Sequence, residues 1–297
     1  MQQKSTVVAL GMFDGVHMGH RAIFHSARQM ANALQAEPCV VTFYNHPMTV
    51  FGKTPLLLTT AGEKRHIIQK LGLKPFLLPF TPEFALKSDQ EFLQFLLHDR
   101  NATGIVVGFD YRFGHEAKGN IETLKVFCSQ HHIQLQIVDA ILYKGEKVSS
   151  SRIREDLAQG RLEDANAMLV DPYTFEGKVA PHAQIGRSLG FPTANLSPGD
   201  KVIPKWGVYT SLVRVNGQTY PGVTNVGSRP TFEDRGNVII ESHILDICGD
   251  LYNCEIDVSL LEFIREEVKF QSPNELKQAI QNDCNHALAY HHKKQKT

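Results

Sequence analysis

The chain has 297 residues, 42% of them hydrophobic, with 31 basic side chains balanced by 31 acidic ones. Single cores stop growing at roughly 250–300 residues, so this length predicts two domains. Formal neutrality excludes a dedicated nucleic-acid binder, which needs a large positive field. It leaves room for small phosphorylated ligands held by a few local donors.

Five cysteines, Cys39, Cys128, Cys248, Cys254 and Cys284, are scattered without a C-x-x-C pair, so neither a disulfide framework nor a zinc site is expected. The apolar part of the N-terminus is too short for a signal peptide, and no run approaches the roughly 18 apolar residues of a membrane span. The expectation is a reduced cytoplasmic protein with neither membrane nor nucleic acid as a partner, and a monomer or weak oligomer.

Strand-like and helix-like segments alternate through the first half. "TVVAL" (6–10) reads as a strand and "HRAIFHSARQMANAL" (20–34) as an amphipathic helix, followed by the β-branched strand "CVVTFY" (39–44). "GEKRHIIQKLG" is helical with Gly72 at its end, and "PFLLPF" (75–80) is a strand. Ser88 and Glu91 stand at capping-box spacing and mark the start of another helix. "GIVVGF" (104–109) is a buried strand, followed by a glycine-punctuated loop, a helix near 119–131 and the strand "IQLQIVD". This alternation predicts an α/β domain with a parallel Rossmann-like sheet, whose ligands bind at the carboxyl ends of the strands.

The rhythm changes after about residue 170. "DPYTFEGKVA", "GVYTSLVRV", "TYPGVTNVG", "NVIIESHILDI" and "NCEIDVSLLEFI" are strand-like runs separated by Gly, Asn and Pro turns, which predicts a small antiparallel β-barrel. One terminal helix follows, and "HHKKQKT" reads as a frayed basic tail. The predicted domains are therefore 1–170 and 171–290, with a polar tail at 291–297.

"GMFDGVHMGH" (11–20) lies between the first strand and the first helix. Backbone amides and the positive end of the dipole gather at a helix N-terminus, which suits phosphate. A helix starting near Met18 puts His17 and His20 on adjacent faces of its first turn, where imidazoles stabilise charge building on phosphate oxygens. Farther on, "VSSSRIREDLAQG" (148–160) offers the capping hydroxyls of Ser149, Ser150 and Ser151 and the cations Arg152 and Arg154. In "GFPTANL", Pro192 forces the preceding residue out of helical space. In an extended segment Thr193 and Asn195 then share a side, a pair of oxygens suited to a hard cation or to a plain turn.

HxGH after the first strand, paired with "SSSRIR" after a later one, resembles the nucleotidylyltransferase superfamily. With "GFDYRFG" (108–114), "GRSLGFPTANL" (186–196) and "NVGSRPTF" (225–232) in the same order, the chain from about residue 6 to 288 resembles the prokaryotic bifunctional riboflavin kinase/FAD synthetases.

The resemblance implies two reactions: phosphorylation of riboflavin to FMN by ATP and Mg²⁺, then AMP transfer from ATP to FMN, giving FAD and pyrophosphate. It implies no tightly bound organic cofactor. In the first domain it assigns His17 and His20 to the α-phosphate, Ser150, Ser151 and Arg154 to the departing phosphates, and Gly11, Phe13, Asp14 and Gly15 to the ATP loop. Asp110 and Arg112 fall beside the adenylylation pocket, although Asp110 reads equally well as a loop cap. In the second domain it assigns Gly186, Thr193 and Asn195 to Mg²⁺–ATP, Glu241 to the general base, and Arg265 and Glu267 to the flavin pocket. His182 replaces a glycine of the family's nucleotide loop, Asn45 stands in "NHP" for a proline, and Ala117 stands where a basic residue is usual. His182 motivates a second hypothesis, an FAD synthetase whose barrel binds flavin with impaired kinase activity.

Overall fold

A computed structural model of the chain describes residues 4–180, 191–228, 238–245, 247 and 251–295. The chain divides into two compact units, Met1–Ser150 and Ser151–Thr297.

In the first unit β1 (Thr6–Leu10), β2 (Glu37–Phe43), β3 (Lys74–Leu78), β4 (Ala102–Gly108) and β5 (Gln134–Val138) form a parallel sheet in the order β3-β2-β1-β4-β5. Helices α1 (Met18–Ala33), α2 (Ala61–Lys70), α4 (Asp89–His98) and α5 (Ile121–Gln130) accompany the strands, with the short α3 (Pro82–Ala85) after β3. Successive side chains of β1 point to opposite faces. Val7 and Ala9 therefore join Phe24, Ala27, Ala31 and Ile68 in one core, while Val8 and Leu10 join Leu93, Leu96, Leu124 and Phe127 in the other. A strand buried on both faces reads as the continuous apolar run "TVVAL". The capping box expected at Ser88 and Glu91 forms, and Thr60 and Glu63 make a second one at the head of α2.

The strand order reverses between β1 and β4. The loops after these two strands leave the sheet side by side, and the crevice at such a switch point is where open α/β sheets bind ligands. "GMFDG" follows β1 and "FDYRFG" follows β4. A small hairpin of β6 (Leu142–Tyr143) and β7 (Glu146–Lys147) precedes the second unit.

Helix α6 (Ser150–Gln159) begins at the last residue of the first unit, and α7 (Leu162–Leu169) follows it. In the structure they belong to the second unit, where α7 lies against β8 (Tyr173–Lys178) and β13 (Glu255–Arg265). With β9 (Thr193–Leu196), β10 (Gly207–Val215), β11 (Gln218–Ser228) and β12 (Val238–Ile244), these strands form an antiparallel sheet ordered β8-β13-β10-β11-β12-β9. Its two edges meet where the Ala180 amide donates to the Asn195 carbonyl at 3.0 Å, which closes the barrel.

Asn216 and Gly217 turn β10 into β11 with φ of 51° and 77°, the left-handed pair of a tight hairpin. Inside, Tyr209, Phe175, Val258 and Leu260 are fully buried. The terminal helix α8 (Pro273–Gln295) packs Cys284 and Ala287 against Phe191, Val208, Val223 and Leu245. It runs through the segment expected to fray, because His291 is buried and its Nε2 meets the Ser211 carbonyl at 3.0 Å. Among the described residues no helix is long and apolar enough to cross a membrane.

Candidate active sites

The loop after β1 is strained. Phe13 and Val16 hold positive φ of 51° and 39°, an uncommon conformation for residues other than glycine. Several contacts enforce it. The Phe13 ring is buried edge-on against His20 and Phe24, and a Cβ at position 11 would lie 2.8 Å from that ring, so Gly11 is required there. Asp14 is buried, and its carboxylate accepts from the amides of Leu58 and Thr59, at 3.0 Å each for the shorter bonds. Thr59 returns a bond by accepting the Gly15 amide at 3.0 Å. Gly15 and Asp14 thus clamp the loop to the segment before α2, and Asp14 shapes the site from behind.

Lys64, on α2, completes the clamp and was not singled out from sequence. Its ammonium is buried and donates to the Met12 carbonyl at 2.8 Å and the Phe43 carbonyl at 3.1 Å, tying the ends of β1 and β2 together. Burial lowers its pKa to about 8 despite the nearby Asp14. A lysine inside an amphipathic helix has no sequence signal beyond its proximity to apolar neighbours.

His17 is the N-cap of α1, with its Nδ1 accepting the His20 amide at 3.4 Å. That bond assigns the proton of the neutral ring to Nε2, which is left to donate. The His17 and His20 rings stack with centroids 3.5 Å apart and planes 18° from parallel. Burial lowers the His17 pKa to about 4, and burial, His17 and Lys64 together hold His20 well below its ordinary value. Nδ1 of His20 is buried without a partner. Two neutral imidazoles at a helix N-terminus act as donors to a charged ligand rather than as competing cations. Ser150 Oγ donates to the Asp14 carbonyl at 2.8 Å, which brings the head of the "SSSRIR" helix to the same loop. Ser151 and Arg154 continue that helix in the second unit.

Against the Gly11–Met12 segment opens a cavity of about 400 Å³, walled by Phe43, Phe51, Phe80, Phe84, Phe92, Tyr111 and Phe113. The rings of Tyr111 and Phe113 stack at 5.6 Å, and Phe43 meets Phe80 and Phe84 edge-on at 4.9 and 5.2 Å. Lys87, Arg112 and Glu116 supply its charges, and Ala117 lines it where a basic residue is expected. Asp110 does not line it and pairs instead with the exposed Lys147. Aromatic residues from the end of β2, from the segments after β2, β3 and β4, and from α3 and α4 form this wall. That clustering toward the carboxyl ends of strands is the sequence signal for the cavity.

In the barrel, Thr193 and Asn195 do share a face of β9. Thr193 Oγ1 donates to Glu241 Oε1 at 2.7 Å, and Asn195 pairs in register with Glu241. Asn195 is buried, and its Oδ1 has no partner. The Thr193 proton is committed to the carboxylate and its lone pairs are not, so the two oxygens fit a hard divalent cation. Among the described residues no group of three or more His, Cys, Asp or Glu side chains could hold a metal ion. Gly186 and His182 lie outside the described residues.

Arg265 is committed elsewhere. It makes a two-pronged pair with Asp283 of α8 at 3.0 and 2.7 Å and donates to the Glu266 carbonyl. Glu267 Oε1 accepts from Asn225 Nδ2 at 2.9 Å, and Gly227 makes room for it: a Cβ there would fall 1.9 Å from that oxygen.

Comparison with known proteins follows the same division. Residues 1–152 match the sequence model of the FAD synthetase family and residues 169–291 that of the riboflavin kinase family. A bifunctional riboflavin kinase/FMN adenylyltransferase of Listeria monocytogenes is 36% identical over 93% of this chain and 90% of its own. Proteins of the same description from Bacillus subtilis and Escherichia coli K12 are 34% and 33% identical, over 97% and 95% of this chain and 93% and 91% of theirs. A crystal structure described as a macrolide-efflux protein from Streptococcus pneumoniae superposes with a TM-score of 0.87 at 30% identity, covering 95% of this chain and 93% of that one.

Proposed function

Because the chain belongs to the bifunctional riboflavin kinase/FMN adenylyltransferase family, we propose that it converts riboflavin to FMN in the barrel and FMN to FAD in the Rossmann-like unit, using ATP for both. Cytoplasmic location belongs to the same proposal, since both reactions draw on ATP.

In adenylyl transfer a phosphate oxygen of FMN attacks the α-phosphorus of ATP, and pyrophosphate leaves. The nucleophile is already charged, so the protein's work is positioning and neutralisation. His17 and His20 donate to the α-phosphoryl oxygens as charge grows there. Gly11, Phe13, Asp14 and Gly15 hold the loop that aims them. Ser150, Ser151 and Arg154 receive the leaving pyrophosphate. The aromatic cavity takes the isoalloxazine, which stacks on flat rings, and Arg112 meets the FMN phosphate end. The observation that carries this half is the shared Gly11–Met12 wall between the histidine loop and the cavity.

In the kinase reaction Glu241 takes the proton of the ribityl 5′-hydroxyl, whose oxygen attacks the γ-phosphorus as ADP leaves. Thr193 and Asn195 would hold Mg²⁺, which neutralises phosphate charge when bound. Thr193 also anchors one oxygen of the Glu241 carboxylate. Glu267 stands near the flavin end of this site. Arg265 supports it from behind through Asp283. The riboflavin kinase match over 169–291 argues against a barrel that merely binds flavin.

The test is incubation of the whole chain with riboflavin, ATP and Mg²⁺, followed by chromatography of the flavins. Both FMN and FAD are expected. FAD forming only from supplied FMN removes the kinase half, and no product from either flavin removes both.

A further inference from the structure

Three polar side chains stand in one row across neighbouring strands of the barrel. Asn195 on β9 is registered with Glu241 on β12, and Glu241 with Asn225 on β11. Directly opposed residues of antiparallel strands share a face and lie about 5 Å apart, so all three project to the same side. Both outer members carry an amide oxygen that is buried and lacks a hydrogen-bond partner. A buried acceptor left unmatched is destabilising unless something arrives to match it. Asn195 already has a use in the proposed cation site. Asn225 has none.

Asn225 is also fixed in orientation. Its Nδ2 donates to Glu267 Oε1 at 2.9 Å, and Gly227, two residues along the same strand face, leaves the space that Glu267 fills. The amide oxygen is thereby held opposite Glu267 as an acceptor. Thr193 and Asn195 lie on one flank of Glu241 and Asn225 on the other. In-line attack puts the phosphates and the attacking oxygen on opposite sides of the transferring phosphorus. If the cation and phosphates lie toward β9, the alcohol lies toward β11.

We propose that Asn225 is a substrate-positioning residue of the phosphoryl-transfer site, accepting a hydrogen bond from the secondary hydroxyl next to the primary hydroxyl that Glu241 deprotonates. This rests on the kinase assignment above and adds to it a reason for preferring a polyol over a simple alcohol. One hydroxyl is held by Asn225 while its neighbour is delivered to the base.

The experiment pairs a change in the protein with a change in the substrate. Asn225→Ala and Asn225→Ser are assayed in the full-length chain with riboflavin and with its 4′-deoxy analogue, and adenylyl transfer from supplied FMN serves as a check on folding. A single neutral hydrogen bond corresponds to about a 3- to 10-fold loss. That factor is expected in kcat/KM for riboflavin with either variant. The same factor is expected for wild type on the deoxy analogue. The variants should lose nothing further on that analogue, since the bond is already gone. A purely structural role for Asn225 would instead give independent, multiplying losses, and that result overturns the proposal, as does a variant with wild-type kcat/KM on riboflavin. Failure of the wild-type chain to phosphorylate riboflavin at all would instead overturn the kinase assignment itself, and this inference with it.

Discussion

The imidazoles of His17 and His20 lie 3.5 Å apart in a stack, and both are held in the neutral form. Stacking two cations at this distance inside the protein is strongly unfavourable, so protonation and folding compete. The native pKa of His17 is about 4, below its value of 6.5 in an unfolded chain. Between those values the unfolded chain binds a proton that the native one does not. Stability therefore falls as pH drops below 6.5, and the loss from His17 is complete near pH 4, at about 3 kcal/mol. Urea midpoints measured across pH 4–7 should show this slope in wild type and a shallower one in His17→Gln. Parallel slopes would refute it.

The two reactions should separate by mutation. His20→Ala is expected to lower FAD formation from FMN at least 100-fold, the scale of removing a donor to a developing oxyanion, while FMN formation from riboflavin persists. Glu241→Ala should do the reverse. Rates of both steps in each variant decide the matter, and equal damage to both steps in a folded variant would contradict the division into two sites.

Lys64→Met exchanges a buried ammonium for an apolar chain of similar length and leaves the carbonyls of Met12 and Phe43 without their donor. Each unsatisfied group is worth about 1–3 kcal/mol, so a drop in melting temperature is expected together with a selective loss of adenylyl transfer. Calorimetry and the two rate assays report on these separately.

Phe51 lines the aromatic cavity and is 64% exposed. Its truncation to Ala should leave stability within about 0.5 kcal/mol, as for most surface changes. Loss of one aromatic contact to the isoalloxazine should raise KM for FMN about 3- to 10-fold. An unchanged KM would place the flavin elsewhere.

The pair Arg265–Asp283 links β13 to α8, and the Asp283 side chain is only 6% exposed. Removing one partner of such a pair strands the other, and Arg265→Met is expected to destabilise by roughly 3 kcal/mol. Thermal unfolding measures it. A stable variant with a raised KM for riboflavin would mean that the guanidinium serves the flavin directly.

Much of this was legible in the chain because local chemistry and tertiary structure agree. After Thr6 the run "TVVAL" has no polar residue to face water, which marks a central strand, and Ser88 with Glu91 announces its helix. His17 and His20 were visible because their spacing coincides with a strand-to-helix junction. The aromatic cavity was not, since its rings come from segments tens of residues apart and only the parallel order of β2, β3 and β4 gathers them. The resemblance assigns Asp14 to the ATP loop, and nothing in the sequence shows that its carboxylate takes the amides of Leu58 and Thr59, partners 44 and 45 positions away. Arg265 likewise gave no hint that Asp283 would claim it. Sequence spacing reports neighbours along the chain, and these pairings are made across it.

Asn195 has two employments that do not interfere. Its side chain faces the row with Glu241, while its main-chain oxygen receives the Ala180 amide where the first and last strands join. The latch of the barrel is therefore fastened through the peptide unit of a residue of the proposed cation site. Any loosening of that seam, by heat or denaturant, would displace the Thr193–Asn195 hinge post before the buried strands at the centre gave way. Hydrogen exchange at the Ala180 amide would then serve as a local thermometer of the kinase half, rising in step with loss of FMN synthesis while the amide of Tyr209 stays protected.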